Sequence, residues 1–294
     1  MSKTWFITGA SRGLGAEIAK AALAAGHNVV ATGRERASIH RALGADGDTL
    51  LSVALDVTHE AQAKAAVDAA LDKFGAIDVL VNNAGFGYMG FFEDSTTADA
   101  LAQLHTNLLG VMHVTRAALP GMRQAGQGRI FNVSSVGGLL GAELGSLYCA
   151  AKFGMEGFSE CLAKEVAPLG IFLTIVEPGP FRTDFLKAES ARYQTTGLAD
   201  YGTRRQQLMA STAQRNGNQP GDPARLAQAM LQLAEVAAPP LRFLAGAIAV
   251  GAASAKLTAW SAEVAAWREL SIGCDGDYAN TDVGLLLDQL KGRT

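Results

Sequence analysis

Tyr148 and Lys152 stand four residues apart in the stretch GSLYCAAKFG, which runs from Gly145 to Gly154. On a helix that spacing puts both side chains on one face. A phenol beside an ammonium is an acid–base pair. The positive charge favours tyrosinate and lowers a pKa that otherwise lies near about 10. A tyrosine tuned in this way can hand a proton to a substrate oxygen or take one from it. The spacing also arises by chance, so its meaning depends on the rest of the chain.

A second chemical signature follows the first apolar run: T-G-A-S-R-G-L-G, Thr8 to Gly15. A glycine-rich turn from strand to helix lets the backbone approach a pyrophosphate closely. The phosphates then meet free N–H groups and the positive end of the helix dipole. Gly9 would make the turn, Gly13 would clear the pyrophosphate and Gly15 would let helix and strand pack. Ser11, Arg12 and Leu14 lie in the same phosphate-facing stretch. The spacing is G-x-x-x-G-x-G rather than the general G-x-G-x-x-G, so a turn without a ligand is the alternative.

The second strand ends V-V-A-T-G-R-E-R, with Gly33 where a carboxylate would bind the ribose 2′-OH of NAD, and then Arg34. The two guanidiniums of Arg12 and Arg34, with no carboxylate there, suit a 2′-phosphate. NADP(H) is therefore expected over NAD(H); two solvated surface arginines are the plainer account. Asp56 and Val57, after the third strand, fall where an adenine would lie, although a loop Asp also serves as a helix cap.

These positions need elements to hold them. Short apolar runs at 4–8, 28–32, 50–54, 77–81, 129–133 and 172–176 alternate with helical patterns at 14–25, 60–73, 98–124 and 147–166. The runs are apolar at consecutive positions, as in strands buried on both faces of a parallel sheet. The expected fold is α/β, a doubly wound parallel sheet in a single domain over residues 1–294. Residues 181–223 are polar and weakly periodic, which predicts a substrate lid. Asp222-Pro223 predicts a helix start. A last strand at 241–246, a helix from about 252 to 270 and a Gly- and Asp-rich tail complete the C-terminal extension.

Further chemistry-bearing residues fall at the strand ends and helix starts. V-N-N-A-G (81–85), H-T-N-L-L-G (105–110), N-V-S-S-V-G-G (132–138) and P-G-P-F-R-T (178–183) are each weak alone. In this order and on these elements they resemble the short-chain dehydrogenase/reductase family, together with the glycine turn and Y-C-A-A-K at 148–152. The resemblance covers about residues 1–183, and the glycine spacing is the family's own. Ser135 lies 13 positions before Tyr148, the family's usual interval. The tail is similar to the hydroxysteroid- and retinol-dehydrogenase-like branch.

The resemblance implies a Rossmann fold and hydride transfer between a nicotinamide cofactor and a carbonyl or alcohol. Tyr148 would be the general acid or base, Lys152 would tune it and hold the nicotinamide ribose, and Ser135 would donate to the substrate oxygen. Asn107 would hold a helix distortion and a proton-relaying water. Asn83, Ala84 and Gly85 would pack near the adenosine ribose, and Pro178, Gly179 and Thr183 would line the nicotinamide end. Phe86 and Phe181 flank motif residues at strand C-termini and are the preferred substrate wall, ahead of Phe185, Tyr193 and Tyr201. The resemblance also implies pairing of the long helices between subunits, hence a homo-oligomer.

Bulk properties narrow the setting. The 294 residues are 49% hydrophobic and 18% charged with a formal net charge of −3, which implies no attraction to nucleic acid or anionic membrane. Three widely spaced cysteines make neither a disulfide framework nor a metal site, so a cytoplasmic location and no metal are expected. The start of the chain reads directly into an apolar run without the pattern of a signal peptide. FLAGAIAVGAASA, Phe243 to Ala255, is 13 residues, against the roughly 20 that span a bilayer. The reading is an NADP(H)-dependent reductase of a medium-sized apolar ketone. The alternative is a catalytically silent NADP(H)-binding sensor or scaffold. A sugar-nucleotide epimerase would differ in glycine spacing and C-terminal domain, and a zinc dehydrogenase would need a Cys/His cluster.

Overall fold

A computed structural model describes residues 2–187 and 190–275. Its strands are β1 (Thr4–Ile7), β2 (Asn28–Gly33), β3 (Leu50–Ala54), β4 (Val79–Asn82), β5 (Gly87–Met89), β6 (Gly128–Val133), β7 (Ile171–Pro178), β8 (Ala191–Tyr193) and β9 (Arg242–Ala245). Its helices are α1 (Gly13–Ala24), α2 (Arg36–Leu43), α3 (Glu60–Phe74), α4 (Thr97–Leu104), α5 (Gly110–Ala125), α6 (Ser146–Val166), α7 (Gly202–Arg215), α8 (Pro223–Glu235), α9 (Ala247–Ala266) and α10 (Arg268–Ile272). The chain divides into two compact units, residues 1–253 and 254–294.

The first unit holds a seven-stranded sheet in the order β3-β2-β1-β4-β6-β7-β9, with every pairing parallel. This is the doubly wound Rossmann architecture, with its order reversal between β1 and β4. Successive strand residues feed two cores. Trp5, Ile7, Val79, Val81 and Phe131 pack with Ile18, Ala22, Leu226 and Met230 of α1 and α8. Phe6, Leu80 and Ile130 pack on the other face with Ala66, Val114, Ala118 and Leu162 of α3, α5 and α6. Both strand faces are therefore apolar, which is why the sequence shows runs rather than alternation.

A buried hydrogen-bond chain fixes the strand ends. Asn82 Nδ2 donates to Thr115 Oγ1 and Asn132 Oδ1, and Asn132 Nδ2 donates to Ser159 Oγ. It ties β4, α5, β6 and α6 together just below the candidate site, and such a network rigidifies a core when its members are paired. Asp222 caps α8 through Ala224 N at 2.9 Å, with Pro223 at the first helical position as expected.

Three features depart from the sequence reading. The helix expected over 98–124 is α4 and α5 joined by one π-helical turn, His105–Leu109. Helix α2 and helix α7, the latter inside residues 181–223, have no counterpart in the expected helices; α7 is polar, with few apolar positions to set a period. Finally, α9 begins at Ala247, directly after Gly246, rather than near 252.

The 181–223 segment is closed at its neck, where Arg182 N donates to Gly221 O at 2.9 Å and Gly221 N donates to Pro180 O at 3.0 Å. Its β8 pairs with β5 in a separate two-stranded sheet. In the second unit, residues 254–275 are described; the Gly- and Asp-rich tail beyond lies outside the described residues. No described helix is long and apolar enough to cross a membrane.

Candidate active site

The glycine turn leaves β1 with Gly9 at φ +66 and Gly13 at φ +57, a backbone region that side chains disfavour. A Cβ on Gly9 would meet Ala84 Cα at 2.9 Å, and one on Gly15 would meet the Gly9 carbonyl oxygen at 2.4 Å. Thr8 Oγ1 accepts from the backbone N of Asn83 and Ala84, and Asn83 Nδ2 donates to the Thr8 and Gly9 carbonyls. The turn is thus bolted to the end of β4, and the first N–H groups of α1 emerge beside it. The sequence reading placed Thr8 in the motif without giving it this role.

This cradle fits a dinucleotide. A side chain at Gly9 or Gly15 would fill the close approach, and α1 supplies the helix N-terminus that favours phosphate. Gly13 faces Thr183, whose methyl would lie 3.9 Å from a Cβ there, so the turn also meets the chain beyond β7. Gly33 ends β2 with Ser11 Oγ near it, and Arg12 and Arg34 are exposed. Leu14 packs against the core on the α1 face of the sheet rather than toward the turn. Asp56 accepts from Thr58 N and Thr58 Oγ1, so it braces its own turn; against burial, which raises its pKa, these two hydrogen bonds hold the carboxyl below the usual range, with smaller help from His59 and Arg34. Val57 is buried and packs over Gly110 at the end of the π-turn.

The acid–base cluster lies at the C-terminal edge of β6 and the start of α6. Ser135 lies just beyond β6; its Oγ accepts from Gly137 N at 3.0 Å, and its side chain acts on Tyr148 to lower that phenol's pKa. Tyr148 sits one helical turn before Lys152, whose Nζ lies 5.8 Å from the Tyr148 ring centre and donates to Val133 O at 2.8 Å. Asn107 occupies the π-turn fully buried; its Oδ1 accepts from Phe86 N at 3.0 Å and its Nδ2 donates to Phe86 O at 2.9 Å. The helix distortion expected at Asn107 is present, and its amide clamps the chain after Gly85.

The electrostatics differ from expectation. Burial pushes Tyr148 up to about 12, offset in part by the Ser135 side chain. Burial also brings Lys152 down to about 8, with Glu156 opposing. Desolvation thus dominates Tyr148, and the Lys152 ammonium donates to the Val133 carbonyl.

Of the other expected residues, Pro178 ends β7 opposite Ala245, and Gly179 N donates to Ala245 O at 3.0 Å. Phe86 carries the Arg192 guanidinium over its ring at 5.2 Å. Phe181 packs into the core and against Gly221 at the neck of the 181–223 segment. The ring that touches Tyr148 is Phe185, with centroids 5.8 Å apart. A cavity of about 500 Å³ is lined by Phe91, Phe92, Glu93, Glu143, Leu144, Tyr201 and Ser146, the last of these two residues before Tyr148 in the chain. Neither Phe86 nor Phe181 lines it. Leu144, at φ 64, is the one described non-glycine residue with positive φ.

The comparisons with known proteins agree on the family. A family model described as short chain dehydrogenase matches residues 3–194. Oxidoreductase BOA17 of Botryotinia fuckeliana (strain B05.10) is 41% identical over 273 residues, 92% of this chain and 99% of its own. A solved short-chain dehydrogenase from Streptomyces avermitilis superposes with a TM-score of 0.85 at 37% identity, covering 93% of this chain and 98% of its own. A short chain dehydrogenase/reductase from Burkholderia phymatum, in complex with NAD, superposes with a TM-score of 0.69 at 26% identity, covering 79% and 85%.

Proposed function

Because the chain belongs to the short-chain dehydrogenase family, as an oxidoreductase, we propose that it is an NADP(H)-dependent reductase of a medium-sized, largely apolar ketone, reversible on the secondary alcohol. The observation that carries this is Ser135 set against Tyr148, with Lys152 one turn on, at the sheet edge that also bears the glycine turn. Gly9, Gly13, Gly15 and the first turn of α1 hold the pyrophosphate. Arg12 and Arg34 take the 2′-phosphate, Asn83, Ala84 and Gly85 border the adenosine ribose, and Thr183 with Pro178 and Gly179 borders the nicotinamide.

The bound nicotinamide supplies the hydride. Ser135 Oγ donates to the substrate oxygen and steadies the negative charge that develops there. Tyr148 Oη gives its proton to that oxygen, and the carbonyl becomes an alcohol. Lys152, charged below about 8, holds the ribose and favours the tyrosinate left behind. Asn107 keeps the Phe86 backbone fixed at the rim. Phe185 against Tyr148 and the cavity over Phe91, Phe92, Leu144 and Tyr201 support an apolar substrate of moderate size.

Homo-oligomerisation and a cytoplasmic setting belong to the same proposal. Exposed Leu101 on α4 and Phe153 on α6 give the helices apolar surface for a second copy. The test is a panel of ketones and secondary alcohols assayed with NADPH/NADP and with NADH/NAD. Oxidation of NADPH by an apolar ketone is expected; a preference for NADH would remove the role given to Arg12 and Arg34.

A further inference from the structure

Among the described residues, the mechanism leaves a charged cluster around Arg242 unused. Arg242, on β9, is in ion-pair contact through Nη1 with Glu156 and Glu177 and through Nη2 with Glu160. Glu156 lies one helical turn after Lys152 on α6, and Glu177 lies on β7. Glu156 and Glu177 are almost wholly buried, while Glu160 is half exposed.

The free ends of this cluster face the candidate site. Glu156 Oε2 takes Arg242, but its buried Oε1 has no hydrogen-bond partner. A Cβ on Gly138 would come 2.6 Å from that oxygen and 2.5 Å from Ser134 Oγ, which is also buried without a partner. Glu156 Oε1 therefore sits under the turn that carries Ser135. On its own helix it shares a face with Lys152, four residues back. Glu156 Oε1 and Glu177 Oε2, the carboxyl oxygens that Arg242 leaves free, are both buried, and the contact between the two carboxyls helps raise the Glu177 pKa, so the cluster is more than an anchor for Arg242.

We infer that Glu156 is a positioning residue, holding Lys152 and the Ser135 turn in their working arrangement, with Arg242 fixing its carboxylate from β9. The inference rests on the reading of Lys152 and Ser135 as part of the reaction centre. The charged groups around Glu156 are Lys152 and Glu160 on α6, Glu177 on β7 and Arg242 on β9. Burial, and then Glu156, pushes Glu177 up to about 7. Glu156 raises the Lys152 pKa against its burial. Glu160 meets Arg242 from the solvent side and serves as a control.

The test is E156Q beside E160Q, read in two ways. In the ligand-free protein, the titration of Lys152 is followed by NMR of its isotope-labelled ε-carbon. In turnover, kcat and KM are separated. For E156Q the Lys152 midpoint is expected to fall by about one pH unit, and kcat by about tenfold, with KM little changed. For E160Q neither should move. A folded E156Q with the wild-type midpoint and kcat overturns the inference. Should E156Q not fold, E156D keeps the charge but withdraws it from Gly138; about a threefold loss of kcat is expected, and wild-type kcat overturns the inference. Wild-type protein inactive on every carbonyl would instead fail the functional reading, whereas the Lys152 titration does not depend on turnover.

Discussion

Arg205 and Asp94 form an ion pair in which both side chains are buried, joining α7 of the 181–223 segment to the turn after β5. Asp94 also accepts from Leu198 N at 2.8 Å, so one carboxylate fastens that segment at two points. Removing one member of a buried pair strands the other charge. Arg205→Met should therefore destabilise the protein by about 3 kcal/mol in denaturant unfolding and speed proteolysis within 195–220. The double change Asp94→Asn, Arg205→Met should recover part of that loss. Unchanged stability in the single variant would mean that the segment is held elsewhere.

Gly15 cannot carry a side chain without moving the Gly9 carbonyl, which a Cβ would meet at 2.4 Å. Gly15→Ala should cost about 1–3 kcal/mol of stability. It should also weaken NADPH binding, measured by calorimetry, far more than an exposed alanine substitution elsewhere on α1. Normal binding would show that the turn does not cradle the pyrophosphate.

Arg34 directly follows β2, which ends at Gly33 where a carboxylate would bind a ribose 2′-OH. Arg34→Glu should lower the ratio of kcat/KM for NADPH over NADH by at least about tenfold, the scale of one charge-assisted hydrogen bond. A ratio unmoved by the change would assign cofactor choice to other residues.

The pH dependence follows from two shifts of opposite sign. Tyr148, pushed up to about 12, keeps the proton it must donate throughout the neutral range. Lys152, lowered to about 8, is charged below that pH and loses its charge above it. The rate of ketone reduction should stay level up to about pH 8 and fall beyond it, read from kcat at saturating substrate. A level profile through that range would remove Lys152 charge from the mechanism.

Much of this site was legible because its chemistry sits at strand ends. β3 spans the residues expected of it, and β6 and β7 extend their expected runs by one to a few residues. β6 and β7 are buried on both faces, so their apolar runs carried the information, while β3 at the sheet edge alternates between buried and part-exposed residues. The resemblance placed Ser135, Tyr148 and Lys152, and the structure brings them together. Helix α7 was hidden because what holds it is a tertiary ion pair and not an apolar stripe. The Glu156–Glu177–Arg242 cluster was hidden because its members lie on three elements far apart in the chain; an arginine inside the apolar run LRFLAG was its one visible trace. The substrate wall was placed at Phe86 and Phe181 by adjacency along the chain. The structure adds Phe185, whose ring lies against Tyr148, on the stretch between β7 and β8 that folds back so that β8 pairs with β5.

The central claim is that Tyr148 passes the proton. Tyr148→Phe removes the hydroxyl set against Ser135 and leaves the glycine turn, Arg12 and Arg34 in place. With a ketone that the wild-type protein reduces, the variant should lose at least about a hundredfold in kcat, the lower range for a positioned general acid, while its NADPH dissociation constant stays within about threefold. A variant that retains near wild-type kcat would contradict the account.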